Sequence, residues 1–515
     1  MLFSIFYTNF VAICAFIKGA QNEKMLEKLA KQTAIYGIST IVVRFLNYLL
    51  TPYYTRIFTQ GEYGVITDIY ALIPFALVIL SMGMESSYFR FTTRAEEEGG
   101  DVAMGKRKVF ATTWGITSLA ATLFFGLVWL LDGPISQAMG EAYVAHPEYV
   151  VIVAAIVMVD VWSIIPFSRL REQGKAMRFV LLKAMSVLLN VGLAIGFGIV
   201  GLYDTTFGIG WVLIANLAAS LLTFLALLPT TNRTLPRIDG ALLRKIFVYS
   251  LPLLISGIAG TANEFIDRQM IKYLTPGDEA MADLGIYGAI MKIAVVMTLF
   301  TQMYRLAAEP FFLSSFKKED FKEANAATMK YFVMASMVIF LGIVLFRDVF
   351  ALIVGRDFRE GIDILPVVLA SNVLAGIWFN LSFWYKREEK TKYAAYITFL
   401  GLAVTLGLSF LLVPKMGYRG AAWVRLIAEA AMVVWSYTLC RKHYPIPYDL
   451  KRIGEYFAAA AVVYCASEYA FVGLSPKLHM TFNALLFIAA IAYAVWREKI
   501  DIKGLTKAVI GKFIR

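Results

Sequence analysis

The chain has 515 residues, of which 59% are hydrophobic and 17% charged, with a mean hydropathy of +0.66 and a formal net charge of +12. This composition excludes an ordinary soluble domain, which is about 45–50% apolar and about 25% charged. The basic residues lie in short segments between apolar runs, as membrane topology requires, so the net charge does not indicate nucleic-acid binding. The three cysteines and three histidines show no metal or disulfide spacing, and we expect neither a metal nor a cofactor.

The first predicted element is an apolar segment over residues 2–17. It lacks the basic region and the cleavage site of a signal peptide. Residues 25–31 form an amphipathic approach to the first long apolar run. We therefore expect Met25 to be the functional start and residues 1–24 to be an upstream extension.

Fourteen apolar runs follow, each long enough to cross a bilayer as a helix. They cover residues 33–51, 64–89, 109–131, 149–168, 179–200, 208–229, 247–274, 285–305, 329–346, 362–385, 393–413, 419–440, 454–472 and 480–496. No connecting segment exceeds about 25 residues, which leaves no room for a soluble catalytic domain. We predict an all-α polytopic membrane protein with 14 transmembrane helices.

The distribution of Lys and Arg predicts the orientation of these spans. With a cytoplasmic N-terminus, the loops and helix ends on the inside hold 37 of the 49 basic residues, and the outside loops hold eight. Basic residues concentrate on the cytoplasmic side of membrane proteins. The bias therefore predicts that both termini are cytoplasmic.

An internal repeat with an offset of 224 residues relates two parts of the chain. Residues 44–64 and 268–288 share seven of 21 positions: an arginine, a Leu-Thr-Pro run, and Gly-x-Tyr-Gly. The copies lie six spans apart, so they run in the same direction and predict two parallel six-helix repeats. We predict an extension over 1–24, an N-lobe over 25–235, a C-lobe over 236–445, and two further helices with a basic tail over 446–515.

Four basic residues lie six or more positions inside the ends of the predicted spans, where a charge costs on the order of 2.5–3.5 kcal/mol and needs a partner or a watery cavity. Basic residues nearer a span end are counted with the adjacent side, so Lys272 counts with an outer loop. Arg425 has Glu429 one turn away, which predicts a structural pair. Arg268 has Glu264 at the same spacing and Asp267 beside it. Both a structural and a cavity role stay open for Arg268.

Arg44 and Lys292 have no acidic neighbour on their own helices. Arg44 and Arg268 are equivalent in the repeat, and we expect both to face a central cavity, where grouped cations suit a phosphate or pyrophosphate. The alternative is that each cation pairs with a carboxylate of the bundle. The offset also aligns Asp68 with Lys292, which inverts the charge. The candidate cavity or coupling acids are Asp68, Glu85, Glu264 and Asp267.

Three segments resemble the polysaccharide-flippase branch of the multidrug/oligosaccharidyl-lipid/polysaccharide (MOP) exporter superfamily. They are residues 28–37 (KLAKQTAIYG), residues 83–91 (GMESSYFRF) and residues 265–268 (FIDR). The resemblance covers about residues 25–500. It implies a two-lobe transporter of the bacterial inner membrane that flips an undecaprenyl-diphosphate-linked oligosaccharide by alternating access, for cell-surface polysaccharides such as O-antigen. It implies no enzymatic step.

The resemblance also implies site residues and partners. The cavity arginines of that branch carry over to Arg44, Arg90, Arg268 and Arg305, and we add Lys292 to them. Arg90 and Arg305 lie at predicted cytoplasmic helix ends, so membrane topology explains these two equally well. The implied partners are the lipid-linked glycan, membrane lipids, and glycan polymerase or ligase machinery. In the related lipid II flippases the last two helices form a groove for the lipid tail.

Two other functions remain open. A drug or organic-cation antiporter of the same superfamily would have an acidic or neutral cavity and, typically, twelve spans. A membrane-bound glycan polymerase or ligase would carry a large outer loop with basic residues, and the outer loops here are short. The sign of the charge in the cavity distinguishes the flippase from the antiporter.

Overall fold

The computed structural model describes residues 48, 50–97, 101–232, 234–316, 320–470 and 475–499, and every regular element within them is a helix. The predicted first span therefore lies almost entirely outside the described residues, as do Arg44 and residues 1–24. The α-helices are α1 Leu50–Ile57, α2 Gln60–Ser81, α3 Met84–Glu97, α4 Val102–Leu130, α5 Asp132–Met139, α6 Glu141–Ala145, α7 Glu148–Glu172, α8 Ala176–Ile199, α9 Gly210–Leu227, α10 Gly240–Leu274, α11 Ala280–Ile293, α12 Val295–Ser315, α13 Phe321–Val344, α14 Arg347–Ala351, α15 Leu365–Leu381, α16 Phe383–Arg387, α17 Lys392–His443, α18 Leu450–Cys465 and α19 Pro476–Arg497.

Ten described helical stretches are long and apolar enough to cross a membrane. The bent pair α11 and α12, which meet at 50°, makes an eleventh if it counts as one span. The protein is thus an all-helical multi-pass membrane protein. The total of fourteen spans stays a prediction.

The predicted eleventh and twelfth spans are continuous in α17, a 52-residue helix. Gly417 interrupts it with φ 54° and ψ −134°, three residues after Pro414. A positive φ is open to glycine at little cost, and proline removes a helical hydrogen bond. The interruption falls inside the predicted connection over residues 414–418.

The chain forms two compact units. The larger contains residues 35–329 and 347–448, so most of both predicted lobes belongs to it; the smaller contains residues 1–34, 330–346 and 449–515. In the described part of the smaller unit, Glu498 accepts hydrogen bonds from Lys330 and Tyr456, each at 2.5 Å. Asn483 donates to the Leu345 carbonyl at 2.7 Å. The lobe boundaries stay a prediction.

In the larger unit, the start of α10 is fixed against α4. Asp239 is the N-cap: its carboxylate accepts the Leu242 N–H at 2.8 Å and pairs with Lys108 at 2.8 Å. These two contacts hold the pKa of the Asp239 carboxyl below its usual range, the Lys108 bond being the larger cause. A carboxylate at a helix N-terminus also faces the positive end of the helix dipole. The connection between the predicted lobes is therefore anchored on the N-lobe.

Candidate functional site

The repeated glycines lie where the two lobes meet. The first part of α2 packs along α11. A Cβ at Gly64 would overlap the Met281 carbonyl, and a Cβ at Gly285 would overlap the Gln60 carbonyl. Only glycine permits backbones to approach so closely. We call this contact, between residues 60–68 of α2 and residues 281–292 of α11, the seam.

Two cross-lobe pairs flank the seam, and the repeat offset relates them. Lys272 Nζ lies 2.5 Å from Asp68 Oδ2. Subtracting 224 from Lys272 gives Tyr48, and adding 224 to Asp68 gives Lys292. Lys292 Nζ indeed lies 4.9 Å from the centroid of the Tyr48 ring. Equivalent positions thus touch on both sides, as an ion pair and as a cation–π contact.

Asp68 is fully buried within a set of three donors. Gln269 Nε2 donates to Oδ1 at 2.7 Å, while Lys272 Nζ and the Tyr143 hydroxyl donate to Oδ2 at 2.5 and 2.7 Å. Lys272 is 8% exposed and Asp68 0%. A buried ion pair is held only when further hydrogen bonds satisfy its atoms, and here they do. The seam is closed by polar bonds as well as by packing.

Further contacts close the same end of the larger unit. Arg56 donates to the carbonyls of Leu352 and Ile353 at 2.6 and 3.2 Å. The Gly355 N–H donates to Thr55 Oγ1 at 3.0 Å. Residues 347–364 therefore bind across the end of α1. We call this the seam end.

At the opposite end, α12 packs on α15 of its own lobe, and α3 packs mainly on α4, α7 and α10. Glu85 pairs with Arg171 in the N-lobe. Glu309, its equivalent at the offset of 224, pairs with Lys386 at 2.9 Å in the C-lobe. Each lobe therefore satisfies its own glutamate here. We call the end of the larger unit that holds the Glu85–Arg171 and Glu309–Lys386 pairs the basic end.

Arg268 and Arg425 share one carboxylate at mid-helix depth. Asp267 Oδ1 lies 2.8 Å from Arg268 Nη1, and Oδ2 lies 2.9 Å from Arg425 Nη1. The Tyr287 hydroxyl donates to Oδ2 at 2.6 Å. Two guanidinium groups thus share one bound carboxylate, and Arg425 also interacts electrostatically with Glu429.

This arrangement corrects the expected pairing of Arg425 with Glu429. It places Arg268 against Asp267, one of the two acids named for it. Arg425 binds the Asp267 carboxylate rather than Glu429, whose buried Oε2 has no hydrogen-bond partner among the described residues. Arg268 binds the Glu264 backbone carbonyl at 2.9 Å, not its carboxylate. Helix spacing offered both acids, but Asp267 reaches two arginines at once. Glu264 is exposed, and it interacts electrostatically with Glu429.

Three predicted cations lie over aromatic rings. Arg90 lies 4.3 Å from the Tyr249 ring centroid, Arg305 lies 4.7 Å from that of Phe379, and Lys292 lies over Tyr48. In the part of the chain that the structure describes, none of the three cations pairs with a carboxylate. All three are exposed. Ring faces hold these cations without neutralising them.

Lys292 and Arg268 are close enough to repel each other electrostatically. Of the predicted group, these two therefore lie together in the structure. Arg44 falls outside the described residues. Arg90 and Arg305 lie toward the basic end of α3 and α12.

Sequence reasoning missed Lys272, Gln269 and Tyr143. Lys272 counted as an outer-loop residue, although it ends α10 and is buried. Asp68 was expected to be a partner for Arg44 or Lys292. Among the described residues it binds Lys272 rather than Lys292, and Arg44 lies outside them. The repeat offset could have identified Lys272 as a candidate, because it relates the positions of Lys272 and Tyr48.

The helical arrangement is that of MOP-type transporters. A lipid II flippase, MurJ, in an inward closed conformation has a TM-score of 0.72 at 13% identity, covering 93% of this chain and 99% of that one. An inward-facing multidrug resistance MATE transporter has a TM-score of 0.63 at 16% identity, covering 80% and 96%. The MATE multidrug transporter DinF-BH has a TM-score of 0.59 at 14% identity, covering 83% and 98%. At these identities the likeness shows a shared fold.

The family model described as "Polysaccharide biosynthesis protein" matches residues 29–316, more than half of the chain. The protein belongs to this family. No curated protein matches the sequence.

Proposed function

We propose that this protein flips a polyprenyl-diphosphate-linked oligosaccharide from the cytoplasmic to the outer leaflet of the bacterial inner membrane. The observation that carries the proposal is the set of exposed cations without carboxylate partners in the described residues: Lys292, Arg90 and Arg305. An uncompensated cation within a membrane span, as Lys292 is, calls for an anionic ligand, and Arg90 and Arg305 lie at the end from which that ligand would enter.

A diphosphate fits these groups chemically. Arginine binds phosphate oxygens in a bidentate manner, and lysine binds them as a point charge. Arg268 and Arg425 share the Asp267 carboxylate, and Arg268 interacts electrostatically with Lys292. Arg44, equivalent to Arg268 in the repeat, would supply the matching cation from the N-lobe.

The closed seam supports a direction of loading. With both termini cytoplasmic, the basic end faces the cytoplasm and the seam end faces outward. The Asp68–Lys272 pair joins the predicted lobes at the seam end. Glu85 and Glu309, in contrast, each pair within their own predicted lobe at the basic end. The head group would then enter from the cytoplasm and leave after the seam parts.

The lipid tail needs no polar site. An apolar groove in the smaller unit, between α13, α18 and α19, offers a surface for an aliphatic chain. Its lining includes Met334, Met337, Leu341, Tyr456, Ala460 and Tyr493. The tail would remain in the bilayer or in this groove, and the delivered glycan would pass to polymerase or ligase machinery. The transport step breaks no covalent bond.

An organic-cation antiporter is the competing function, because two solved structures with this fold are multidrug transporters and Glu264 is an exposed acid near the cluster. Ligand-induced stabilisation separates the two. We expect inorganic diphosphate to raise the Tm of the purified protein, since a ligand that binds the folded state stabilises it. Lys292→Met should remove the shift, and Lys477→Met, at an exposed lysine of the smaller unit, should keep it.

Stabilisation by tetraphenylphosphonium without any response to diphosphate would favour the antiporter and contradict the proposal.

A further inference from the structure

The donors around Asp68 form an anion site that is filled by the protein itself. Gln269 and Lys272 lie one turn apart on α10 and point their N–H groups at the two oxygens of one carboxylate. The third donor, Tyr143, comes from the N-lobe. A phosphate group presents oxygens of the same charge and accepts the same hydrogen bonds.

We infer that Gln269 and Lys272 are a second phosphate-binding site for the substrate head group, occupied by Asp68 while the seam is closed and vacated when α2 and α11 part. This inference rests on the proposed function and names the site that the head group reaches on the release side. Asp68 belongs to α2 and the two donors belong to α10, so separation of the lobes divides them.

The position of Lys272 on α10 connects the two sites. Lys272 follows Arg268 by four residues, which places both on one face of the helix, about 6 Å apart along its axis. Arg268 lies beside Lys292, and Lys272 lies one turn nearer the seam end. The head group therefore has a cation at each end of a single helical turn.

This site links opening of the seam to the substrate. Lys272 is almost fully buried, and a buried charge that loses its partner is strongly unfavourable. A phosphate that replaces Asp68 removes this penalty. Because it binds these donors only after Asp68 has left, it favours the open seam. Without substrate, the Asp68–Lys272 pair keeps the seam closed.

The other side of the seam lacks this site. Tyr48 stands at the position equivalent to Lys272, and Lys292 at the position equivalent to Asp68. Lys292 pairs with no carboxylate among the described residues, so its ammonium group is available to a phosphate while the seam is closed. Lys272 becomes available with the seam open. The charge inversion in the repeat thus assigns the two lysines to different states.

Binding of inorganic diphosphate to the full-length protein in lipid nanodiscs tests the inference. Asp68→Asn removes the competing negative charge from the donors, and we expect about tenfold tighter binding than in the wild type, since hydrogen bonds to charged groups contribute this much or more. The double variant Asp68→Asn/Lys272→Met removes both buried charges together, and it should lose the gain. Equal binding by the single and the double variant would overturn the inference.

Flipping of the lipid-linked oligosaccharide in proteoliposomes gives a second readout. If Lys272 only latches the seam, the double variant should flip at least as fast as the wild type, and the inference fails. If Lys272 also binds the head group, the double variant should flip about tenfold more slowly than Asp68→Asn. Failure of the wild type itself to flip this lipid would instead reject the proposed function.

Discussion

At the residue scale, Asp68 and Lys292 show what one charge inversion does within a repeat. Both face the opposite lobe from equivalent positions, yet Asp68 is bound by three donors and Lys292 contacts a ring face. A carboxylate in a dry seam needs such donors, whereas a lysine over an aromatic ring keeps its charge for another partner. Of these two equivalent positions, Asp68 thus forms the contact that closes the seam, and Lys292 is a candidate ligand-binding group.

Replacing Lys292 tests its assignment. Lys292→Met removes the charge but keeps much of the side-chain volume, so we expect flipping to fall about tenfold or more through loss of a charge-assisted hydrogen bond. Lys292→Arg should retain most of the activity. Flipping rates in proteoliposomes with equal protein content measure both. Lys477→Met is the matched control, and unchanged flipping by Lys292→Met would remove Lys292 from the site.

At the element scale, the seam depends on glycines that place α2 against α11. Gly61 and Gly285 are equivalent in the repeat, but their surroundings differ: a Cβ at Gly61 would meet open space, while one at Gly285 would overlap the Gln60 backbone. The contact is therefore not perfectly symmetric. In this pair, Gly285 can be essential while its equivalent, Gly61, is not.

These two glycines provide an internally controlled prediction. Gly285→Ala should separate the helices at the seam, lower the Tm, and reduce flipping. Gly61→Ala should leave the Tm equal or raise it, because alanine is preferred over glycine in a helix by about 1 kcal/mol. Thermal unfolding of both variants in one detergent measures the difference. A larger loss for Gly61→Ala would contradict the described seam.

Much of the helix pattern could be predicted from hydropathy. The interruption at Gly417 falls where Pro414 and the glycine mark a boundary, and predicted spans correspond to α2, α4, α7, α8 and α9. The bend of 50° between α11 and α12 was not predictable, because no proline marks residue 294. Bends of this kind depend on packing with other helices.

The partners within the site were less predictable than the cations. Helix spacing predicted Glu429 as the ion-pair partner of Arg425, because spacing takes account only of neighbours on the same helix. The structure uses Asp267 on α10, because α10 and α17 pack closely. The role of Lys272 was not predicted for a similar reason, because its burial depends on contact with the other predicted lobe. Contacts between helices can be predicted from the repeat offset or observed in a structure, but they do not follow from helix spacing.

At the scale of the whole molecule, bonds join the lobes at the seam end, and each lobe pairs its own charges at the basic end. Under the proposed function, this is the arrangement expected when the substrate cavity is open to the cytoplasm. Two parallel repeats can pass from this closed-seam arrangement to the arrangement with the seam open by rocking about the seam. The Asp68–Lys272 pair is then the contact that must break first.

Transport of a defined substrate tests this account most directly. The measurement is the rate at which a labelled undecaprenyl-diphosphate-linked oligosaccharide reaches the opposite leaflet of proteoliposomes, with and without an ion gradient, against protein-free liposomes. We predict flipping by the wild-type protein that inorganic diphosphate inhibits. Rates equal to those of protein-free liposomes, together with transport of an organic cation by the same preparation, would contradict the account.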